Sequence, residues 1–356
     1  MTEILRGKDV ADRLTEKNVI KADELRQNGI CPTMAIVRLG ENPGDLSYER
    51  GAMKRAAQTD VDVKQFVYDK TITQDELLAE MDKINRDDSI HGVLIFRPLP
   101  GHIDEKAVCA ALAPEKDVDG ITAGSMAGVF MDSDAGFPPC TAQACMEILD
   151  HYGFDPAGKR VAVIGRSLVI GKPVAMMMMR RDATVTICHS RTGSDVMSSV
   201  GHDADIIVAA AGKAKMVGPD ITGDGKIIID VGINIDDEGK LCGDVDFDAV
   251  SEKAEAITPV PGGVGSVTTA VLMKHVTTYQ KTKTVYEAYR RAKDKDTYRA
   301  KQESSLILHE AAAKALQTYR ALRAFCHFTF TAIQCILKGS RFSGRRYSNE
   351  DENIVF

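Results

Sequence analysis

The 356-residue sequence lacks several features that mark specialised classes of protein. Its eight cysteines are scattered and include no CxxC pair, which argues against a zinc site and against a disulfide framework. No stretch of about 18 apolar residues would span a bilayer. The N-terminus has no basic segment followed by an apolar one, so secretion is not expected. These absences predict a cytoplasmic protein with reduced thiols, no metal site and no membrane attachment.

The net charge of −6 combines two unlike segments. Residues 283–356 carry 14 Lys and Arg against 8 Asp and Glu, a net charge of +6, whereas residues 1–282 carry 31 against 43, a net charge of −12. An acidic body of this size argues against a nucleic-acid partner. The change of sign near residue 283 indicates a tail of a different kind. Apolar residues recur there at helical spacing between 308 and 322, which fits either an appended helix or an interaction module.

The body of the sequence alternates helical and strand patterns. Apolar positions at helical spacing cover residues 8–28, 46–58, 73–86, 141–152 and 171–181. Short apolar runs typical of buried strands cover residues 33–40, 61–68, 92–96, 159–165, 183–189, 205–212 and 226–234. This alternation predicts an α/β fold with parallel sheets in two domains, because helices of this length connect parallel strands. We place the domains at 1–140 and 141–267, followed by a helix over 268–282 and a tail over 283–356.

The segment VAVIGRSLVIGKPV at 161–174 runs from an apolar strand through glycines into a helix. Glycine at such a turn lets the backbone approach a pyrophosphate, and the helix N-terminus offers free N–H groups to an anion. The spacing from Gly165 to Gly171 differs from the common GxGxxG. The segment therefore fits either a dinucleotide site or a plain strand-to-helix turn.

The next strand ends in CHSRT at 188–192. In a dinucleotide fold this end meets the adenosine ribose, where NAD sites place an acid and NADP sites place basic and hydroxyl groups. Ser190 and Arg191 stand there, with Arg166 at the preceding turn. Two guanidiniums and a hydroxyl suit a 2′-phosphate, which predicts NADP over NAD. The alternative is that Arg191 is a solvated surface charge.

Three other segments are candidates for substrate binding. TPVPGGVGSVTTAVLM at 258–273 combines stiff prolines with permissive glycines before a helix, and such a loop can lay backbone amides against a flat ligand. EKDVDGIT at 115–122 puts Asp117 and Asp119 in a loop, either as functional acids or as solvated turn residues. Tyr48 and Lys54 lie six residues apart and do not share a helical face, so they are not a catalytic pair.

Together these segments resemble the methylenetetrahydrofolate dehydrogenase/cyclohydrolase family over about residues 1–281. The matching segments are GENPGDLSY (40–48), RPLPGHID (97–104), PEKDVDGIT (114–122), PPCTA (138–142), VIGRSLVIGKPV (163–174), CHSRT (188–192), DVGIN (230–234) and TPVPGGVGSVT (258–268). The resemblance implies an N-terminal folate-binding domain, a Rossmann-like NADP-binding domain, a C-terminal helix that returns to the first domain, and a homodimer formed by the nucleotide domains.

The resemblance also implies roles for individual residues. Tyr48 would stack along the pterin and aminobenzoate in a cleft between the domains, and Asp119 would accept hydrogen bonds from the pterin amino and N–H groups. The other folate contacts it implies are Pro261, Gly262 and Gly263. The residues that correspond to NADP contacts are Gly165, Arg166, Ser167, Ser190 and Ile233, and Arg191 is added from the charge argument above.

The sequence departs from the bifunctional members at two positions that serve the cyclohydrolase reaction. Those members have a lysine four residues after the tyrosine, where this sequence has Ala52, and they read VQLPLP where this sequence reads IFRPLP. Phe96 thus replaces a glutamine, and Arg97 replaces a leucine. Hydride transfer mainly needs alignment of donor and acceptor, whereas hydrolysis needs a group that moves protons. We therefore expect oxidation to survive and hydrolysis to be lost, unless Lys54 or Arg97 substitutes.

The sequence thus predicts an NADP-dependent 5,10-methylenetetrahydrofolate dehydrogenase of one-carbon metabolism. A bifunctional dehydrogenase/cyclohydrolase is the first alternative. A shikimate- or amino-acid-type dehydrogenase would share the two-domain plan, but it does not account for the TPVPGGVG and KDVDG segments. A non-enzymatic sensor of folate or NADP is the alternative from another class, to which the loss of lysine at position 52 lends slight support.

Overall fold

The computed structural model describes residues 2–133 and 136–279, and the predicted tail lies outside them. The first part of the described chain forms β1 (Glu3–Ile4), α1 (Gly7–Gln27), β2 (Thr33–Leu39), α2 (Pro43–Gln58), β3 (Asp62–Tyr68), α3 (Gln74–Arg86), β4 (Gly92–Ile95), α4 (Glu105–Ala111) and α5 (Ala123–Phe130). Strands β3, β2 and β4 pair in that order into a parallel sheet. Every residue of the central strand β2 is buried, as expected when helices cover both faces of a parallel sheet.

The second part builds a larger parallel sheet. Its elements are α6 (Cys140–Tyr152), β5 (Arg160–Ile164), α7 (Gly171–Met179), β6 (Thr184–Cys188), α8 (Ser194–Asp203), β7 (Ile206–Ala209), α9 (Pro219–Thr222), β8 (Ile227–Asp230), β9 (Asn234–Ile235), β10 (Leu241–Cys242), α10 (Phe247–Ser251), β11 (Ala256–Ile257) and a last helix, α11, over 268–279. The sheet order is β1-β11-β8-β7-β5-β6, and β9 and β10 form a separate hairpin. The two sheets confirm the predicted fold class for the described residues.

The strand β1 was not anticipated as a member of the second sheet. It pairs in parallel with β11, Glu3 opposite Ala256 and Ile4 opposite Ile257. The Thr2 hydroxyl adds a hydrogen bond of 2.8 Å to the Ala254 carbonyl. Residues at the start of the predicted 1–140 domain therefore belong structurally to the sheet of the second domain. A two-residue strand has no periodicity, which is why sequence patterns cannot find it.

The start of α2 explains part of the GENPGDLSY motif. Asn42 caps the helix, its side chain accepting a hydrogen bond of 2.8 Å from the Gly44 N–H, and Pro43 occupies the first helical position. Proline is favoured there because it has no N–H to satisfy and its φ angle is already helical. The helix thus begins three residues before the predicted 46–58, and this start places Tyr48 in its second turn.

No helix among residues 2–133 and 136–279 has the length and apolarity needed to cross a membrane.

Candidate active site

A cleft of about 340 Å³ contains two of the predicted site residues, Tyr48 and Asp119. The loop that follows β5 reaches the same cleft through Leu168 and Val169. Its remaining lining residues are Asp45, Leu94, Ile95, Phe96, Arg97, Gly120, Ile121, Met126, Pro139, Cys140 and Thr141. One cavity therefore joins the candidate substrate residues to the candidate nucleotide loop.

Tyr48 lies on α2 with its ring against an apolar wall. The rings of Tyr48 and Phe96 meet edge to face, their centroids 6.0 Å apart and their planes at 82°. Thr268, at the start of α11, lies near enough to the tyrosine hydroxyl to act on its pKa. Burial raises the pKa of the Tyr48 phenol well above its ordinary value of 10, so the group is neutral. Its aromatic face, not its acidity, is what it offers to a ligand.

The two carboxylates of the KDVDG segment have different functions. Asp117 is fully buried and accepts hydrogen bonds from the Ile121 N–H at 2.9 Å, the Thr122 N–H at 2.7 Å and the Ser125 hydroxyl at 2.6 Å. These contacts hold the loop and the first turn of α5. Asp117 is therefore a structural residue, and its neighbour Asp119 is the carboxylate that lines the cleft.

The Asp119 carboxyl is held in a poorly solvated position. Burial raises its pKa from 3.8 to about 6, while the Arg97 guanidinium opposes the shift, Asp117 adds to it, and a hydrogen bond from the Cys140 thiol opposes it. At neutral pH the group is ionised and accepts hydrogen bonds only. A ligand with two neighbouring N–H donors would therefore be complementary to this carboxylate.

A packed layer behind Asp119 supports the loop that carries it. The thiol sulfur of Cys140, at the start of α6, lies 3.3 Å from the Val118 carbonyl oxygen. The same carbonyl lies 2.8 Å from Nδ1 of His275, and the His275 ring stacks on Phe137 with centroids 4.6 Å apart. Burial lowers the pKa of His275 to about 4, so the neutral ring donates from Nδ1. Helix α11 thereby contributes to the position of the substrate loop.

Arg97 is a cleft residue that the sequence identified only as a departure from a pattern. It follows β4, and its guanidinium Nη1 lies 3.6 Å from Glu105 Oε1, at the start of α4. The other Glu105 oxygen accepts a hydrogen bond of 3.0 Å from the Leu99 N–H. Glu105 is thus fixed by the backbone, and it in turn pairs with Arg97, whose charge acts on Asp119.

The two positions of the expected cyclohydrolase departure lie close to Tyr48. Ala52 is fully buried one turn further along α2, and Phe96 is 8% exposed. Both belong to the same apolar core cluster. Lys54 is exposed and does not line the cleft, whereas Arg97 does. Of the two substitutes considered from the sequence, the structure therefore brings only Arg97 to the site.

The loop between β5 and α7 has the close backbone approach that a dinucleotide site needs. Gly165 has a φ of +137°, and a Cβ there would lie 2.1 Å from the Ala210 carbonyl oxygen. A Cβ on Gly171 would lie 2.2 Å from the Gly165 carbonyl oxygen. Both glycines are therefore required by packing, and the turn leaves no room for a side chain. Ser167 braces it, its hydroxyl accepting a hydrogen bond of 3.2 Å from the Ile170 N–H.

The candidate 2′-phosphate residues lie at one edge of the sheet. Strands β5 and β6 are parallel neighbours with Ile164 opposite Cys188, so Arg166 and Ser190 follow at the same carboxyl edge. Arg166, Ser190 and Arg191 are exposed, and neither guanidinium has a carboxylate within 4 Å among the described residues. Ile233 follows β8 at the same edge and is 67% exposed. The arrangement leaves two cations and a hydroxyl available to an anion.

The PVPGG loop has a structural function in the described chain. The Gly262 carbonyl accepts a hydrogen bond of 2.8 Å from the Gly7 N–H, which satisfies an open donor at the start of α1 where no side chain caps the helix. A Cβ on Gly7 would lie 2.0 Å from the Gly263 carbonyl oxygen. Pro261, Gly262 and Gly263 are not among the residues that line the cleft. Of this segment, it is Thr268 that acts on a cleft residue, Tyr48.

Comparison with known proteins agrees with this geometry. Residues 5–119 match the model of the tetrahydrofolate dehydrogenase/cyclohydrolase catalytic domain, and residues 139–284 match that of the NAD(P)-binding domain of the same family. The chain is 48% identical over 274 residues to the bifunctional protein FolD of Clostridioides difficile strain 630, which covers 77% of this chain and 95% of that protein.

Solved structures give the same result. The bifunctional FolD enzyme of Campylobacter jejuni aligns with a TM-score of 0.77 at 35% identity, covering 80% of this chain and all of that one. The FolD enzyme of Trypanosoma brucei, solved with NADP cofactor and an inhibitor, aligns with a TM-score of 0.74 at 32% identity, covering 79% of this chain and 98% of that one. The chain therefore belongs to the tetrahydrofolate dehydrogenase/cyclohydrolase family.

Proposed function

We propose that this protein oxidises 5,10-methylenetetrahydrofolate to 5,10-methenyltetrahydrofolate with NADP, and that it has lost the cyclohydrolase activity named in its relatives. The observation that supports the oxidation most directly is the single cleft lined by Tyr48, Asp119, Leu168 and Val169. This cleft joins the substrate residues to the nucleotide loop. A hydride donor and a hydride acceptor need this proximity to react.

The reaction removes one hydride from the folate methylene carbon. The lone pair of the adjacent folate nitrogen would stabilise the resulting methenyl cation, and a bound nicotinamide cofactor would supply the acceptor for the hydride and its two electrons. No water enters and no protein group needs to take a proton. The protein therefore acts by binding and orienting two reactants.

Tyr48 and Asp119 supply the substrate contacts in this proposal. The neutral Tyr48 ring stacks along the pterin and aminobenzoate, and the ionised Asp119 accepts hydrogen bonds from the pterin amino and N–H groups. From the resemblance, we also propose that the backbone of Pro261, Gly262 and Gly263 contacts the folate. In the described chain its own hydrogen bond holds α1.

The nucleotide loop fits a dinucleotide, since Gly165 and Gly171 allow the tight turn between β5 and α7 that a pyrophosphate site needs. We propose that Ser167 and Ile233 add contacts to the cofactor and that Arg166, Ser190 and Arg191 bind a 2′-phosphate. Two exposed guanidiniums at the ribose end favour NADP over NAD. The NADP bound by the Trypanosoma brucei relative is consistent with this choice.

The loss of hydrolysis follows from the residues around Tyr48. Hydrolysis of the methenyl cation needs an activated water and a group that exchanges protons near neutral pH. Ala52 and Phe96 are apolar, and the Arg97 guanidinium offers donors only, with no acceptor that could take a proton from water. The wall on this side of the cleft can exclude water but cannot activate it.

One assay set tests both parts of the proposal. Purified protein with methylenetetrahydrofolate and NADP should form reduced cofactor, more slowly with NAD, and methenyltetrahydrofolate should then decay at its spontaneous rate. The absence of reduced cofactor with bound folate would favour a sensor. Methenyl decay well above the spontaneous rate would favour a bifunctional enzyme, the activity for which the relatives are named.

We also propose a homodimer formed through the nucleotide domains. Light scattering of the full chain tests this proposal by measuring the mass of the particle in solution.

A further inference from the structure

Arg97 and Asp119 place opposite charges in the same cleft. Both side chains line it, and the guanidinium is close enough to Asp119 to counter the effect of burial on that carboxylate. The Arg97 side chain is 25% exposed, so part of it is open to a ligand. A guanidinium offers five N–H donors and no acceptor, whereas an ionised carboxylate offers acceptors only. The pair therefore forms a recognition surface with one accepting half and one donating half.

The contacts that Arg97 makes with other described residues leave most of these donors unused. Its ion pair with Glu105 spans 3.6 Å, longer than a charge-assisted hydrogen bond of about 2.8 Å. Glu105 is itself held by the Leu99 N–H at 3.0 Å. Glu105 thus orients Arg97 but does not occupy all of its N–H donors.

The edge of a pterin ring has the complementary pattern. Its 2-amino group and N3–H are neighbouring donors, and the 4-oxo oxygen beside them is an acceptor. A carboxylate satisfies the two donors, and a guanidinium beside it satisfies the oxygen. A leucine at position 97, as in the resembling bifunctional members, would leave that oxygen without a side-chain donor.

We propose that Arg97 donates a hydrogen bond to the 4-oxo oxygen of the pterin, so that Arg97 and Asp119 together select 4-oxo over 4-amino pterins. This inference rests on the proposed folate site. It assigns Arg97 as a specificity residue that contacts substrate, with Glu105 as the residue that positions it.

Ligand binding to the full chain tests the proposal without catalysis. Tetrahydrofolate and its 4-amino-4-deoxy analogue are titrated by calorimetry against wild type, Arg97→Leu, Arg97→Lys and Glu105→Gln. At a pH well above the pKa of Asp119, Arg97→Leu should weaken tetrahydrofolate binding roughly 10- to 100-fold, the range for a lost hydrogen bond to a charged group, and leave the analogue unchanged. Arg97→Lys should retain part of the preference, since lysine is also a donor, and Glu105→Gln should lose less than Arg97→Leu.

The outcomes separate this inference from the proposed function. Equal weakening of both ligands by Arg97→Leu, or an unchanged preference, would overturn the specificity role while the folate site stands. If wild type binds neither compound, the folate site itself fails. Thermal melting of each variant shows whether it is folded, and Arg97→Lys keeps the comparison possible if Arg97→Leu is not.

A pH profile gives a second readout that a purely structural role would not move. The charged or titratable groups that act on Asp119 are Arg97, Asp117 and the Cys140 thiol, and the neutral Tyr48 phenol lies near enough to be affected by its charge. Removal of the Arg97 charge raises the pKa of Asp119 further, so the acid limb of kcat/KM for Arg97→Leu should shift to higher pH. Arg97→Lys should keep the wild-type limb. An unshifted limb in Arg97→Leu would contradict the direct coupling of the two charges.

Discussion

Tyr48 and Phe96 contact each other edge to face across the cleft wall, with ring centroids 6.0 Å apart. The resemblance implies a glutamine in the bifunctional members at the position of Phe96 and a lysine at that of the fully buried Ala52, one turn beyond Tyr48. The tyrosine that should stack on the folate thus has apolar neighbours at both positions. This arrangement leads to the first prediction.

The double variant Ala52→Lys/Phe96→Gln should gain methenyltetrahydrofolate hydrolysis. General acid–base groups contribute about 10²- to 10⁴-fold, so we expect decay at least tenfold above the spontaneous rate, measured by the loss of methenyl absorbance. The matched control Ala52→Met/Phe96→Leu has similar bulk and no ionisable group, and it should not hydrolyse. Wild-type hydrolysis at an enzymatic rate, or a double variant that oxidises but never hydrolyses, would contradict the assignment.

Asp119→Asn should abolish folate binding and at the same time stabilise the protein at neutral pH. The folded-state pKa of about 6 lies above the ordinary 3.8, so ionisation costs folding free energy above pH 6 and nothing below pH 4. The gain in stability of the variant should therefore grow between pH 4 and pH 6 and stay constant above. It should reach on the order of 1–3 kcal/mol by denaturant unfolding.

The same carboxylate should set the acid limb of wild-type activity. Asp119 accepts hydrogen bonds from the pterin only when it is ionised, so kcat/KM should fall as the pH drops through about 6. A profile flat down to pH 5, or an Asp119→Asn variant less stable than wild type at pH 7, would show that this carboxylate is not held as described.

Asp117→Asn should behave in the opposite way to Asp119→Asn. The buried Asp117 accepts three hydrogen bonds, and an amide nitrogen would face the Thr122 N–H, so donor would meet donor. We expect a loss of about 1–3 kcal/mol in the free energy of unfolding, with weaker folate binding as a consequence. Urea unfolding of both single variants is the measurement. Equal stability of the two would remove the distinction between the structural and the binding carboxylate.

Arg191→Gln should reduce the preference for NADP over NAD roughly 10- to 100-fold, mainly through kcat/KM for NADP, because one charge-assisted contact to the 2′-phosphate is lost. Arg180→Gln is the control, since Arg180 is an exposed cation of the same lobe and follows α7, away from the ribose end of β6. If Arg180→Gln had the same effect, general charge and not a specific contact would explain the preference. Steady-state rates with each cofactor decide between these outcomes.

The sequence predicted the long elements well because their periodicity is strong. The helix at 73–86 is observed as Gln74–Arg86, and the strand at 61–68 as Asp62–Tyr68. The shorter helices α4, α5, α8, α9 and α10 were not predicted, since four to ten residues give a weak periodic signal. The early start of α2 could have been predicted from Asn42 and Pro43, because a capping residue followed by proline marks the N-terminus of a helix.

The site was predictable in part. Tyr48 and Asp119 were identified through resemblance, and the structure brings them to one cleft. Which of Asp117 and Asp119 faces the ligand depends on the conformation of a loop held by Thr122 and Ser125, and residue types alone do not encode it. Arg97 gave a signal only as a departure from a pattern, and its meaning required the position of Glu105.

The pairing of β1 with β11 has a consequence for biosynthesis and for protein engineering. Thr2 and Ala254 are 252 residues apart in the chain, so β1 can pair with β11 only after the whole stretch between them has been synthesised. A fragment that begins at the family boundary near 139 would leave β11 as an open edge, a template for unwanted pairing. When the nucleotide-binding half is produced alone, residues 2–5 should therefore be fused after its C-terminus, so that β1 can still pair with β11.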